Sequence, residues 1–389
     1  MRRASVVSFL LGSCLLGSSS SSDGQIPLNA SQDSAEAPLY RVSFEKKDPV
    51  TGIDAPPLLK LPFGCTSDGT AFITMLPAGG LIQPPVYAPP PLLLVSVSPS
   101  GQTHTFPIDQ PTEQLYNVRE IDHYASDSSV VFLIRAAREN KPIQRTWIKP
   151  DGSNGEYSDN TAERRLYLLF FDRDGNYKRI SELDVGFTVR HIGVFPSGTL
   201  LAFGDDEKDH SPKLAMLKED STLLRFLQFH EGDAPESMLQ TKDGSGKGPA
   251  VYVVPTEFVP FGHSILVVQN RSSLPLLEIS ESGLIRAIHP RLRQGVTVDS
   301  LITSNENLYA RVTGSDQGSI YEIDARNGIV RRRFDTGNDA IPAGIACVHD
   351  GRFLSFDHRD GKLVPLVGTA DPSGKADHTA QAPPRPVSK

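Results

Sequence analysis

The sequence lacks most of what enzyme and nucleic-acid-binding signatures are built from. It contains no Gly-x-Ser-x-Gly elbow, no P-loop and no dinucleotide fingerprint. Lys and Arg number 39 against 46 Asp and Glu, for a formal net charge of −7. Binders of a phosphate backbone draw their affinity from clustered cations, so no nucleic-acid partner is expected. The main basic cluster is Arg331, Arg332, Arg333, which on a strand reads as a solvated, edge-protecting face. After the first residues no apolar run approaches the length of a transmembrane helix. Stretches with helical periodicity are scarce as well.

What the chain has in quantity is turn formers, 32 glycines and 31 prolines, which favour many short strands joined by tight turns. Its 389 residues would ordinarily suggest two or three domains, but folds that grow by repetition exceed the usual domain size.

The beginning is distinct. Met1, Arg2 and Arg3 precede an apolar stretch from Val6 to Leu16 and then the serines Ser18 to Ser22. Positive charge, a short apolar run and small residues predict a secretory signal over 1–22, and hence a periplasmic, extracellular or envelope-anchored protein. Leu11-Gly12-Ser13-Cys14 also fits a bacterial lipobox; lipidation of Cys14 would be the one route to membrane contact. Residues 23–38 read as a disordered linker and 369–389 as a disordered tail.

Between these flanks lies a degenerate repeat. Its first marker is a turn between apolar strands, at Ser67–Thr70, Ser126–Ser129, Pro196–Thr199, Phe261–Ser264, Ser304–Asn307 and His349–Arg352. A second marker follows each, at Ser98–Gly101, Asp172–Gly175, Lys218–Ser221, Ser280–Gly283, Arg326–Gly328 and His358–Gly361. Each unit is therefore read as two linked hairpins, a four-stranded meander. Such a meander cannot bury both of its faces alone, and radial packing of successive units solves that problem. The last unit runs into the tail one strand short, and Leu39 to Phe44 supplies the missing strand. The expectation is an all-β, six-bladed β-propeller of four-stranded antiparallel blades over 39–368, closed by an N-terminal strand pairing with the C-terminal blade. The repeat resembles the six-bladed propellers of the TolB-like and NHL-like kind. That resemblance implies a site at one mouth of the central channel and no particular chemistry, and the chain is expected to be a monomer.

Long insertions at Leu76–Pro91, Arg135–Arg165 and His230–Ala250 fall on one face of the expected disc. Insertions of that length read as lids or binding loops. The middle one holds the only tryptophan, Trp147, with Tyr157; together with Arg190 they are the candidate binding residues. Counting back from the turns places His191 and Asp299 at one level of the inner strands, near Glu120 and Glu257. A histidine and carboxylates near a channel mouth could hold a divalent metal or do acid–base work, and the plainer reading is hydrogen bonding between blades. The acidic loop Asp205, Asp206, Glu207, Asp209, His210 and the turn residues Asp172 and Asp174 read as solvated. Cys65 and Cys347 lie at one level of neighbouring blades, but equivalent positions point the same way around a ring, so spacing leaves a disulfide open. The functional expectation is a non-catalytic propeller that binds a protein, peptide or glycan through the loop-rich face, with no cofactor. The alternative is a metal-dependent hydrolase or lyase at the channel mouth, using His191, Asp299, Glu120 and Glu257.

Overall fold

The computed structural model describes residues 37–50, 64–75, 93–107, 115–139, 143–149, 151–159, 164–227, 239–240, 250–251, 255–269, 275–304, 307–314, 319–336, 345–359 and 362–375. Among these residues every regular element is a strand. The expected signal and lipobox at Cys14, the expected first insertion and most of the third lie outside them.

Strand β1 (Leu39–Lys46) stands apart from the strands that follow it in sequence. The first meander is β2 (Gly64–Cys65), β3 (Ala71–Met75), β4 (Leu93–Val97) and β5 (Thr103–Pro107). The second is β6 (Tyr116–Ala125), β7 (Ser129–Ala137), β10 (Arg164–Asp172) and β11 (Tyr177–Glu182), with a separate hairpin, β8 (Ile143–Ile148) and β9 (Asn154–Asp159), between its middle strands. The third is β12 (Thr188–Val194), β13 (Leu200–Asp205), β14 (Pro212–Leu217) and β15 (Leu223–Phe226). A two-residue pair, β16 (Leu239–Gln240) and β17 (Ala250–Val251), precedes the fourth: β18 (Pro255–Phe261), β19 (Ser264–Gln269), β20 (Leu276–Ser280) and β21 (Ile285–Ile288).

The remaining strands form one curled eight-stranded sheet. It contains β22 (Val296–Ser304), β23 (Asn307–Gly314), β24 (Ser319–Asp324) and β25 (Val330–Asp335), then β26 (Ile345–His349), β27 (Arg352–Arg359) and β28 (Lys362–Lys375). Strand β1 joins the two groups, running parallel to β25 over Leu39–Arg41 and antiparallel to β28 from Tyr40 to Lys46. The expected partner of the N-terminal strand is thus the observed one, and β28 continues to Lys375, beyond residue 368. The turn near His358 joins the second and third strands of its group, whereas the second markers of the earlier units join the third and fourth.

The arrangement is propeller-like. First strands of successive groups touch one another in order, β2 with β6, β6 with β12, β12 with β18, β18 with β22 and β22 with β26, and β26 touches β2 again. The cores lie between sheets. One cluster joins Phe72 and Leu94 to Phe132 and Tyr167, another joins Val131 and Leu168 to Phe203, Phe258 and Ile265, and a third joins Leu266 to Leu308 and Tyr321. A fourth joins Ile73 and Val95 to Phe353, Phe356 and Phe334. Each sheet alternates side chains to both faces, and both faces are covered by neighbours. Gly64 lets β2 approach β6 closely, because a Cβ there would overlap that of Ala125.

Arginines on fourth strands tie neighbouring sheets together at the rim. Arg179 donates to the Glu219 carbonyl at 2.6 Å, Arg225 to that of Ser282, and Arg286 to that of Arg326 at 3.4 Å. The basic run on β25 is used in the same internal way. Arg331 pairs with Asp324 and Arg332 with Glu322, while Arg333 is buried and donates to the Ala37 carbonyl at 3.0 Å. Arg331 and Arg332 are exposed, as expected of a solvated face, and Arg333 alone departs from that expectation.

Candidate functional site: the hub of the inner strands

Five inner strands carry a register shift: at Ile121 in β6, Arg190 in β12, Thr256 in β18, Asp299 in β22 and Ala346 in β26. A bulge inserts one residue and reverses the facing of everything beyond it. Glu120 and His123, three apart, would point to opposite sides of a regular strand. With the extra residue they share a side, and His123 Nδ1 lies 3.0 Å from Glu120 Oε1 in a fully buried pair.

Asp122 points the other way, toward the third sheet. Its Oδ2 accepts the Ile192 amide at 3.0 Å and stands 3.4 Å from His191 Nδ1. The His191 ring packs against Phe203 and Phe258, with centroids 6.2 and 6.0 Å away. Two sheets further on, Glu257 Oε1 accepts the Leu301 amide at 3.4 Å. Asp122 and Glu257 each follow a bulge directly and each bind the inner strand of the next group. This is the hydrogen bonding between blades that the sequence admits.

Three of the four candidate acid–base residues therefore occupy different contacts. Glu120 lies with His123 beside Phe132, His191 between the second and fourth sheets, and Glu257 against β22. The side chain of Asp299 lies outside the described set. Among the described residues no three His, Cys, Asp or Glu stand close enough to share an ion.

The candidate binding residues are also apart. Arg190 is exposed and paired with Asp205. Trp147 and Tyr157 belong to the β8–β9 hairpin, where Trp147 faces Gly155 and Tyr157 faces Arg145 across the ladder; their side chains are not among those described. In the acidic loop, Asp206 accepts the Lys208 amide at 2.9 Å and Asp209 the Ser211 amide at 2.8 Å. Asp172 is held below the usual carboxylate range, first by Lys178 and then by Asn176.

Open space lies elsewhere. A cavity of about 410 Å³ sits where the first hairpin turns of the groups converge. Six hydroxyl-bearing residues line it: Ser67, Ser126, Ser128, Ser264, Thr303 and Ser304. Tyr124, Phe261, Pro196 and Pro260 supply apolar surface. The charged or titratable lining groups are Asp127, His263 and Tyr124, with no Lys or Arg. Asp127 Oδ1 accepts the Ser67 amide at 2.6 Å, joining the turns of neighbouring sheets. Burial, and secondarily the Asp127 charge, pushes the Tyr124 phenol far above its ordinary range, so it stays protonated as a donor.

At the cavity edge Cys65 forms a disulfide with Cys347, with Cα atoms 5.1 Å apart. The facing argument that left this bond open assumed equivalent positions. The turn after Cys65 spans Thr66–Thr70 and closes with Thr66 donating to the Thr70 carbonyl. The turn after Cys347 is the tighter Asp350–Gly351, both at positive φ, closed by the His349–Arg352 pair. Counted from the closing pair, Cys65 is one residue back and Cys347 two, so they face opposite ways and meet.

Sequence reasoning missed Asp122, His123 and Asp127 as hub residues. The bulge at Ile121 hid the first two from any count based on strict alternation. The serine-rich first turns, Ser67, Ser126, Ser128 and Ser264, were the available signal for the cavity.

No protein-family model matches the chain, and no curated protein is similar enough to count as a relative. Several solved structures align with the chain at low similarity. A protein of unknown function from Bacteroides caccae aligns over 69% of this chain and 80% of its own, at 11% identity and TM-score 0.33. The glutaminyl cyclase of Myxococcus xanthus aligns over 86% and 100%, at 12% identity and TM-score 0.30. The β-propeller domain of Myceliophteria thermophila Cps50 (Swd1) aligns over 83% and 99%, at 8% identity and TM-score 0.36. At this level of similarity the strand topology, not the neighbours, carries the propeller assignment.

Proposed function

We propose that this chain is an exported, non-catalytic binding propeller whose ligand enters the hub cavity on the hairpin-turn face. In this reading the eight-stranded sheet is two further blades sharing β1, and the ring is six-bladed and closed. The cyclic order of inner-strand contacts and the disulfide between the first and last groups support closure. The disulfide also supports export, since such bonds persist in oxidising compartments. The signal at 1–22 is consistent with that route.

The observation that carries the binding reading is the cavity of about 410 Å³. Small-ligand pockets run from about 300 to 1,000 Å³ and combine apolar walls with a few polar groups, as this one does. The carboxylate that lines it, Asp127, holds the Ser67 amide, which suits a rigid binding wall better than proton transfer. Thermal melts of wild type and Ser128→Trp, against soluble sugars, amino acids and short peptides, test the reading. A ligand that raises the wild-type melting temperature, and not that of the plugged variant, is the expected result. Equal stabilisation of both proteins moves the site off the hub, and turnover of any bound probe overturns the non-catalytic assignment.

A further inference from the structure

We infer that the hub cavity takes a neutral saccharide, a single pyranose ring or a short uncharged oligosaccharide; this rests on the hub reading above. The six hydroxyls come from four turns placed around the mouth, those of the first, second and fourth sheets and the end of β22. A hydroxyl both donates and accepts, so a wall of hydroxyls matches a ligand that carries hydroxyls around its own rim. Two of them are oriented in advance. Thr303 donates to the Pro260 carbonyl, and Ser126 can donate to the Ser129 carbonyl at 3.3 Å or share a proton with the Ser128 hydroxyl at 3.4 Å, which leaves oxygen lone pairs on both as acceptors.

The apolar share of the lining suits the other side of a sugar. Phe261, Pro196 and Pro260 present ring and C–H surface to a pyranose C–H face, an amphipathic pairing that a fully charged ligand cannot use. Charge decides against the competing small-ligand classes. A phosphate, sulfate or carboxylate would meet the Asp127 carboxylate, with His263 the one facing basic side chain and no Lys or Arg, and such anions are held in proteins by charge-assisted bonds from cations. A free amine would rely on Asp127, whose Oδ1 is already engaged by the Ser67 amide at 2.6 Å.

The test is equilibrium binding to the full exported chain, by calorimetry and saturation-transfer NMR. The probes are maltose, cellobiose and chitobiose, a glucuronate-containing disaccharide, and a tripeptide with free termini. Two plugging variants, Ser128→Trp and His263→Trp, sit on exposed turn positions, and circular dichroism checks that each folds. The expected result is binding of at least one neutral disaccharide, weakened about tenfold or more by either plug, a loss near 1.4 kcal/mol. Binding of only the tripeptide or the acidic sugar, blocked by a plug, overturns the saccharide assignment and leaves the hub reading standing. Saccharide binding that neither plug weakens overturns both. Failure of every saccharide to bind overturns the inference.

Discussion

Cys347 stands one residue further from its turn than Cys65 does from its own, and that single step turns the two sulfurs toward each other across the junction of the first and last groups. The bond spans a sequence separation of 282. It also borders the hub cavity, so stability and the shape of the mouth are coupled at this point. Closing so long a loop removes much freedom from the unfolded chain. The paired variant Cys65→Ala/Cys347→Ala is expected to lose about 2–4 kcal/mol in denaturant unfolding, and reductant should lower the wild-type midpoint toward the same value. Coincident midpoints with and without reductant would show that the bond contributes nothing.

Ser221 occupies a position that glycine fills in equivalent turns. It has φ 71°, while Gly101, Gly175 and Gly283 hold the matching place at 88°, 82° and 81°. Its hydroxyl is buried without a hydrogen-bond partner. Ser221→Gly removes both the left-handed strain and the stranded hydroxyl and is expected to stabilise by about 1 kcal/mol. Chemical denaturation reads this directly, and a destabilised variant would contradict it.

Asp122 ties β6 to β12 through the Ile192 amide at 3.0 Å. Asp122→Ala strands a buried donor and should cost about 1–3 kcal/mol, with Asp122→Asn milder because an acceptor is kept. Hydrogen exchange at the Ile192 amide checks the mechanism: it should quicken in the alanine variant more than in the asparagine one.

Asp68 is held well below the ordinary carboxylate range. Burial raises its pKa, but hydrogen bonds from Thr66, Arg173 and Thr70 together outweigh that. A depressed folded value contributes stability that is present above the unfolded pKa and is lost as pH falls through the folded one. Wild type should therefore lose stability on acidification below the ordinary Asp range of about 4, and Arg173→Ala should show a shallower loss. Parallel acid titrations of the two proteins would remove Asp68 as a contributor.

The metal-dependent alternative predicts a stoichiometric ion lost with His191→Ala. The binding reading predicts that elemental analysis finds no such ion and that chelator leaves the melt unchanged. A chelator-sensitive melt abolished by His191→Ala would favour the hydrolase or lyase.

Much of the architecture was legible in the residues. Turn formers between apolar strands, as at Pro196–Thr199 and Asp172–Gly175, located the hairpins because their φ requirements are local. The strand-short C-terminal unit pointed to Leu39–Phe44 as a partner, and β1 pairs with β28 there. The candidate site was much less legible. His191, Glu120 and Glu257 were correctly placed on inner strands, yet which way each faces depends on bulges at Arg190, Ile121 and Thr256 that no residue type announces.

The sequence by itself determined that the chain is all-β, where its hairpins turn and which strand meets the last meander. These follow from short-range preferences and alternation, which act within a few residues. Only the tertiary structure decided that Cys65 meets Cys347, that Asp122 serves the Ile192 amide, and that the open space lies among the hairpin turns. The first two of those outcomes depend on the parity of a strand after a bulge or a turn of particular length. One residue reverses that parity, and packing between sheets selects which parity survives.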